Sequence, residues 1–214
     1  EIIQQVLYLK NGSLDRKITH LVFMGTGEPF DNYENVIKAI RIINSPEGFN
    51  IGARRITVSS AGIIPGIKRL AGEGLQIELS ISLHAADDAT RSAIMAINKR
   101  YPIGELIRAC RDYSKATGRQ VTFEYILIKD LNSDLQTAQK LAKILQGWNC
   151  KINLIPCNPV TESGFLCPDK AEILNFKNSL LKSGVNVTLR KPRGQDINAA
   201  CGQLRLRHAQ AKAS

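Results

Sequence analysis

Residues 20–30 read HLVFMGTGEPF. Leu21, Val22, Phe23 and Met24 predict a buried strand, and the residues after them predict where it goes. Gly25 and Gly27 let the backbone turn sharply and come close to a ligand, and Pro29 ends strand pairing. Glu28 is thereby delivered at the carboxyl end of a strand, where open α/β sheets and barrels collect their ligands. Taken alone, the stretch reads equally well as a strand-to-helix turn carrying a solvated carboxylate. It matches a dinucleotide fingerprint poorly, having no third glycine to open a helix and no lysine to cradle a phosphate.

Working outward, the chain alternates. Before this strand, Glu1 to Lys10 carries apolar residues at helical spacing with no capping residue and no initiating Met, so the chain reads as a portion of something longer. After it come a helix over Tyr33–Asn44, a strand over Arg55–Ser60 and a small-residue turn at Ser59, Ser60, Ala61 and Gly62. A helix over Ile64–Ala71 leads to a strand over Gln76–Leu83. Asp87 or Asp88 caps a short helix, and a longer one over Ile103–Thr117 precedes a strand over Val121–Ile128. Ser133 or Asp134 caps a helix through Leu145. A buried strand over Lys151–Pro156, a helix over Lys170–Ser183 and a strand over Val185–Arg190 complete the pattern. The residues divide into a core over 1–204 and a polar, basic tail over 205–214.

Strands alternating with helices six times imply parallel pairing and right-handed crossovers. Six strands are too few for a complete eight-stranded barrel, leaving an open doubly wound sheet or a partial barrel. Small or polar turns at four strand ends favour the barrel, because a curved sheet gathers those ends around one mouth.

The length of 214 residues suits one domain. No apolar run is long enough to span a membrane and no signal peptide is visible. Five cysteines, Cys110, Cys150, Cys157, Cys167 and Cys201, are an odd set, which favours free thiols in a reducing compartment and hence a cytoplasmic location. No spacing among them is Cys-x-x-Cys, so the chain supplies no self-contained metal site. The net charge of +10 suits a polyanionic partner, while an aromatic content of only 6% argues against a stacking platform for single strands.

The strand-end groups Glu28, Ser59, Ser82, His84 and Asn158 form a set. A carboxylate holds an ammonium, hydroxyls hold a carboxylate or ribose, and an amide reads an adenine edge or a sugar. That combination fits a zwitterionic nucleoside such as S-adenosylmethionine. Singly, each is also a common structural residue: a serine turn cap, a core imidazole, an asparagine before proline. Cys201 stands apart from the other thiols. It follows Arg190, Lys191, Arg193 and Gly194 and adjoins Gly202, and positive surroundings of this kind favour the thiolate. Inert packing of Cys201 is the competing reading. Cys110, on the apolar face of a helix, and Cys150, beside a buried strand, read as core.

MGTGEP, Ser59 within TVSSAG, SLHA, KINLIPCNP and above all RGQDINAACGQL resemble the radical S-adenosylmethionine RNA adenine methyltransferases of the RlmN type. The resemblance runs from the first helix to Leu204. It implies a partial (β/α)6 barrel of the radical S-adenosylmethionine type, S-adenosylmethionine and a [4Fe-4S] cluster as cofactors, and methylation of carbon 2 of an adenine in 23S rRNA and in tRNA. Motif by motif, it places Gly27 and Glu28, Ser59, Ser82, Leu83, His84 and Asn158 at S-adenosylmethionine. Cys201 becomes the cysteine that is first methylated; a deoxyadenosyl radical then takes hydrogen from its S-methyl group, and the carbon adds to the adenine. Carbon 2 of adenine is too weakly nucleophilic for a simple methyl displacement. A flavodoxin-like electron donor is the implied external partner.

The resemblance also implies parts that this chain does not carry: the CxxxCxxC cluster ligands, a resolving cysteine, a base and an amino-terminal RNA-binding domain, all expected before Glu1. The chain by itself is therefore expected to be inactive and to hold no metal. Thr26 and Cys157 depart from the family's usual Met and aromatic. Two rival readings are the related enzyme acting on carbon 8 of an rRNA adenine and a non-catalytic basic RNA-binding module. Pro29 after Gly-Glu, and the closing KPRG, favour carbon 2.

Overall fold

The computed structural model describes residues 1–12, 17–157 and 164–190. Its six strands are β1 (Leu21–Phe23), β2 (Ile56–Ser60), β3 (Glu78–Ser82), β4 (Val121–Leu127), β5 (Cys150–Pro156) and β6 (Asn186–Leu189). All pairings are parallel, and the spatial order is the chain order, β1-β2-β3-β4-β5-β6. This order decides between the two architectures left open by sequence. A doubly wound sheet reverses direction at a switch point, putting helices on both faces. Here every right-handed crossover advances the same way, so the helices share one face and the other stays open as the lining of a partial barrel.

The burial pattern agrees. In VTFEYIL of β4, Val121, Phe123, Tyr125 and Leu127 are buried while Thr122, Glu124 and Ile126 are half-buried, and β5 begins with the same alternation. The buried set packs against the helical layer, α2 (Tyr33–Asn44), α3 (Ile64–Ala71), α5 (Ile103–Thr117), α6 (Leu135–Leu145) and α7 (Lys170–Lys182), with α1 (Ile2–Gly12) ahead of it and the short α4 (Asp88–Ile94) at the mouth. Ile40, Ile67, Leu106, Leu141 and Phe176 of this layer are fully buried against Val58, Leu79, Phe123 and Ile152. Each such side chain contributes about 1.5–3 kcal/mol by leaving water.

Local chemistry sets the helix starts. Asp87, Asp134 and Asp169 accept from the amides of Thr90, Thr137 and Glu172 at 2.9, 2.9 and 2.8 Å, satisfying otherwise orphaned N–H groups. Asp87 and Asp134 are thus the caps among the candidates at each position.

Two expectations need correction. Residues 21–24 are not a buried strand: Met24 lies beyond β1 at 40% exposure and Val22 is 52% exposed. Among the described residues β1 lies at the edge of the sheet, and Val22, paired with Thr57, faces the concave side, which no described element covers there. The strand expected over 151–156 begins at Cys150 and alternates instead of being buried throughout. The tail over 205–214 lies outside the described residues.

One packing contact fixes how the β1 turn meets the helices. A Cβ on Gly66 of α3 would sit 2.6 Å from Cδ2 of the buried Phe30 ring. Phe30 is held by Tyr33, ring centroids 5.9 Å apart, and cannot yield easily. Gly66→Ala is therefore expected to destabilise the protein on the order of 1–2 kcal/mol, overpacking outweighing the helix-propensity gain of alanine. A lower Tm of the variant by calorimetry checks this; a raised Tm contradicts it.

Candidate active site

The carboxyl ends of β1, β2 and β3 lie side by side, and the structure brings six of the sequence-derived candidates there, Gly27, Glu28, Ser59, Ser82, Leu83 and His84. Gly25, at φ 84°, makes the turn after β1 that only glycine adopts at low cost. Glu28 then swings back over the sheet. The Ala61 amide, just past β2, donates to its Oε2 at 2.7 Å, and the Phe30 amide donates to Oε1 at 3.1 Å. Each carboxylate oxygen retains a lone pair, so a half-buried negative group is fixed at the mouth with accepting capacity left.

Ser60 takes the structural role that sequence allowed for its neighbour. Its Oγ accepts from the amides of Gly62 and Ile63 at 3.0 and 3.3 Å, shaping the turn into α3. Ser59, one residue earlier, lies on the opposite, concave side in register with Ser80. Ser82 ends β3 in register with Glu124.

Beyond Ser82 the strand breaks into a tight turn. Leu83 is fully buried, and the amides of Leu83 and His84 both donate to the Glu124 carbonyl at 3.0 and 3.3 Å. His84 sits at φ 59°, uncommon for a residue with a side chain. Its Nδ1 accepts from the Ile126 amide at 3.1 Å and its carbonyl accepts from Asn132 Nδ2 at 2.8 Å. With Nδ1 an acceptor, the proton of the neutral ring is on Nε2.

Burial, reinforced by the nearby Arg91 charge, pushes the His84 pKa down to about 4. The ring is thus neutral in the fold, while an unfolded histidine titrates near 6.5. Between these values the unfolded state binds the extra proton, so this stability is complete above about pH 6.5 and is lost as pH falls toward 4, on the order of 3 kcal/mol in all. His84→Asn, which tolerates the left-handed backbone, is expected to flatten that part of the pH–stability curve in urea titrations. An unchanged slope between pH 4 and 6.5 contradicts it.

Sequence reasoning missed a polar row on the concave face. Ser80 Oγ and Asn153 Nδ2 donate to the two oxygens of Glu124, at 3.0 and 2.8 Å, and Thr188 Oγ1 donates to Asn153 Oδ1 at 3.0 Å. The period-two alternation of VTFEYIL and CKINL was the available signal, since it assigns Glu124 and Asn153 to the face opposite the helices.

Asn158 and Cys201 lie outside the described residues. In the other four cysteines burial favours the neutral thiol over the thiolate. Cys110 and Cys150 are core residues, 0% and 5% exposed; burial pushes the first thiol up strongly and the second to about 12, and burial also raises Cys157 and Cys167. Among the described residues no three His, Cys, Asp or Glu come together to hold a metal. No described helix is long and apolar enough to cross a membrane.

Residues 3–142 match the radical SAM superfamily model. The chain is 52% identical over 205 residues to a probable dual-specificity RNA methyltransferase RlmN of Clostridium acetobutylicum, covering 96% of this chain and 59% of that protein. A protein of the same description from Geobacillus kaustophilus is 48% identical, with 96% and 57% covered. A radical SAM methyltransferase from Sphaerobacter thermophilus, known from its crystal structure, superposes with a TM-score of 0.87 at 46% identity over 94% of this chain and 59% of that one. A domain of pyruvate-formate lyase-activating enzyme from Bacteroides vulgatus shares the fold alone, with a TM-score of 0.63 at 17% identity. The chain thus spans somewhat under two thirds of the length of these methyltransferase relatives.

Proposed function

Because this chain belongs to the radical SAM superfamily, we propose that it is the S-adenosylmethionine-binding barrel of an RNA methyltransferase that modifies carbon 2 of adenine in 23S rRNA and tRNA. One observation carries the reading: a carboxylate held by two backbone amides, two serines and a hydrogen-bonded imidazole lie at three adjacent strand ends, in a chain about half identical over nearly its whole length to proteins named as RNA methyltransferases.

The donor set suits the ligand. Glu28, its oxygens each already holding one amide, takes the methionyl ammonium, with Gly27 allowing close backbone approach. Ser59, Ser82, the Leu83 backbone and His84 serve the carboxylate and ribose side, and Asn158 the adenosyl side. When bound, S-adenosylmethionine supplies both the methyl group and, on reductive cleavage, a hydrogen-abstracting radical. This chain's part is to orient the ligand, and Cys201 is the residue that carries the methyl-derived carbon. The [4Fe-4S] cluster, its cysteine ligands, the resolving cysteine and a flavodoxin-like electron donor belong to the same reading, and none is supplied by the described residues. Cytoplasmic RNA is the substrate that the basic charge suits.

The test is transfer of label from methyl-labelled S-adenosylmethionine into a 23S rRNA fragment and a tRNA transcript, using the full gene product reconstituted under anaerobic conditions. Incorporation is expected in both RNAs. RNA that binds but gains no label favours the non-catalytic module.

A further inference from the structure

Among the described residues the largest fully buried side chain is a charged one, Arg91 of α4. All five of its N–H groups are used. Nε donates to the Leu83 carbonyl at 3.1 Å; Nη1 donates to Asn98 Oδ1 at 3.1 Å and the Tyr101 carbonyl at 3.3 Å; Nη2 donates to the Ala61 carbonyl at 2.7 Å and the Ser82 carbonyl at 3.0 Å. No carboxylate is ion-paired with it among the described residues. A guanidinium is expensive to bury, and here it is compensated by four carbonyls and one amide oxygen. Three of those carbonyls belong to the strand ends that form the candidate site.

Arg91 ties those ends together. Consecutive carbonyls of a strand point to opposite sides, yet Ser82 and Leu83 both present theirs to Arg91 while the Leu83 and His84 amides share the Glu124 carbonyl. The turn that carries His84 is thus gripped from both sides. On the β2 side, the Ala61 residue is held at both ends, its N–H by Glu28 and its carbonyl by Arg91. Gly62 completes the fit: at φ 106° it brings the turn so close that a Cβ there would stand 3.2 Å from Arg91 Nη2.

We propose that Arg91 is a positioning residue that clamps the β2 and β3 strand ends into one rigid platform for S-adenosylmethionine, setting the distance between Glu28 and the Ser82–His84 turn. The proposal rests on the strand ends being the S-adenosylmethionine site. Lysine is a poor substitute, since an ammonium has three donors and no planar fork to reach carbonyls on two strands at once.

The experiment compares wild type, Arg91→Lys, Asn98→Ala and a remote core variant, Leu180→Ala, in the full gene product at a temperature where circular dichroism shows each folded. Three quantities are read: the dissociation constant for S-adenosylmethionine, the KM for RNA, and exchange of the Ala61 amide hydrogen. Arg91→Lys is expected to weaken S-adenosylmethionine binding at least tenfold, leave the RNA KM within twofold, and speed Ala61 exchange at least tenfold. Asn98→Ala, which removes one acceptor, should move the cofactor affinity and the Ala61 exchange several-fold in the same direction, and it decides the matter if Arg91→Lys does not fold. Leu180→Ala should move neither. Unchanged cofactor affinity in the clamp variants, or an equal loss in Leu180→Ala, overturns the clamp. Absence of S-adenosylmethionine binding by the wild type overturns the site reading itself, and the clamp with it.

Discussion

Replacing Cys201 by alanine in the full gene product is expected to abolish methyl transfer to RNA. In the proposed pathway the Cys201 thiolate attacks the sulfonium methyl group of S-adenosylmethionine; a carbon–sulfur bond forms on Cys201, another breaks on the donor, and S-adenosylhomocysteine leaves. Alanine removes the atom that becomes bonded to the carbon, so the loss should exceed the roughly 10²- to 10³-fold typical of deleting one electrostatic contact. The sequence context, RGQDINAACGQL with arginine and lysine just upstream, favours the thiolate. Cys110→Ala is the control. Its thiol is fully buried in α5 and shifted far from ionisation, so truncation should cost on the order of 1 kcal/mol of stability and leave chemistry intact in the folded protein. Methylated RNA formed by the Cys201→Ala variant, or label from the donor on another cysteine, would falsify the assignment.

Glu28→Gln is expected to weaken S-adenosylmethionine binding roughly 10²-fold or more, the cost of removing one member of a desolvated charge pair. The change keeps the volume and removes the charge proposed to face the methionyl ammonium. It also has a structural cost that can be separated. Both oxygens of Glu28 accept backbone amides, from Ala61 and Phe30, and the glutamine NH2 can serve neither, leaving one amide unpaired at about 1–3 kcal/mol. Equilibrium binding measured where the variant is fully folded isolates the ligand effect. Affinity within a few-fold of wild type would remove Glu28 from the site.

Much of the fold was legible because its signals are local. Tyr33–Asn44, Ile64–Ala71 and Ile103–Thr117 stand out by apolar spacing, since each buries a single stripe. Strand order was legible only indirectly: the small, polar turns at four strand ends and the family resemblance both pointed to a partial barrel, as found, while the pairings themselves join residues far apart in the chain and leave no local pattern. Val22 and Met24 misled for a related reason, as apolar character does not tell an edge strand from a central one. At the site, Glu28 and the SLHA turn could be read from glycine punctuation and position at strand ends. Arg91 could not. An arginine in a short helix beside Asp88 reads as solvated charge, and its burial depends on carbonyls contributed by two strands and a loop.

The most direct test of the proposed reaction is the position of the new methyl group on the adenine. RNA treated with the full gene product and methyl-labelled S-adenosylmethionine is digested to nucleosides and resolved by chromatography and mass spectrometry against 2-methyladenosine and 8-methyladenosine standards. Label is expected in 2-methyladenosine from both the 23S rRNA fragment and the tRNA. Label in 8-methyladenosine, or in neither nucleoside, contradicts the proposed reaction.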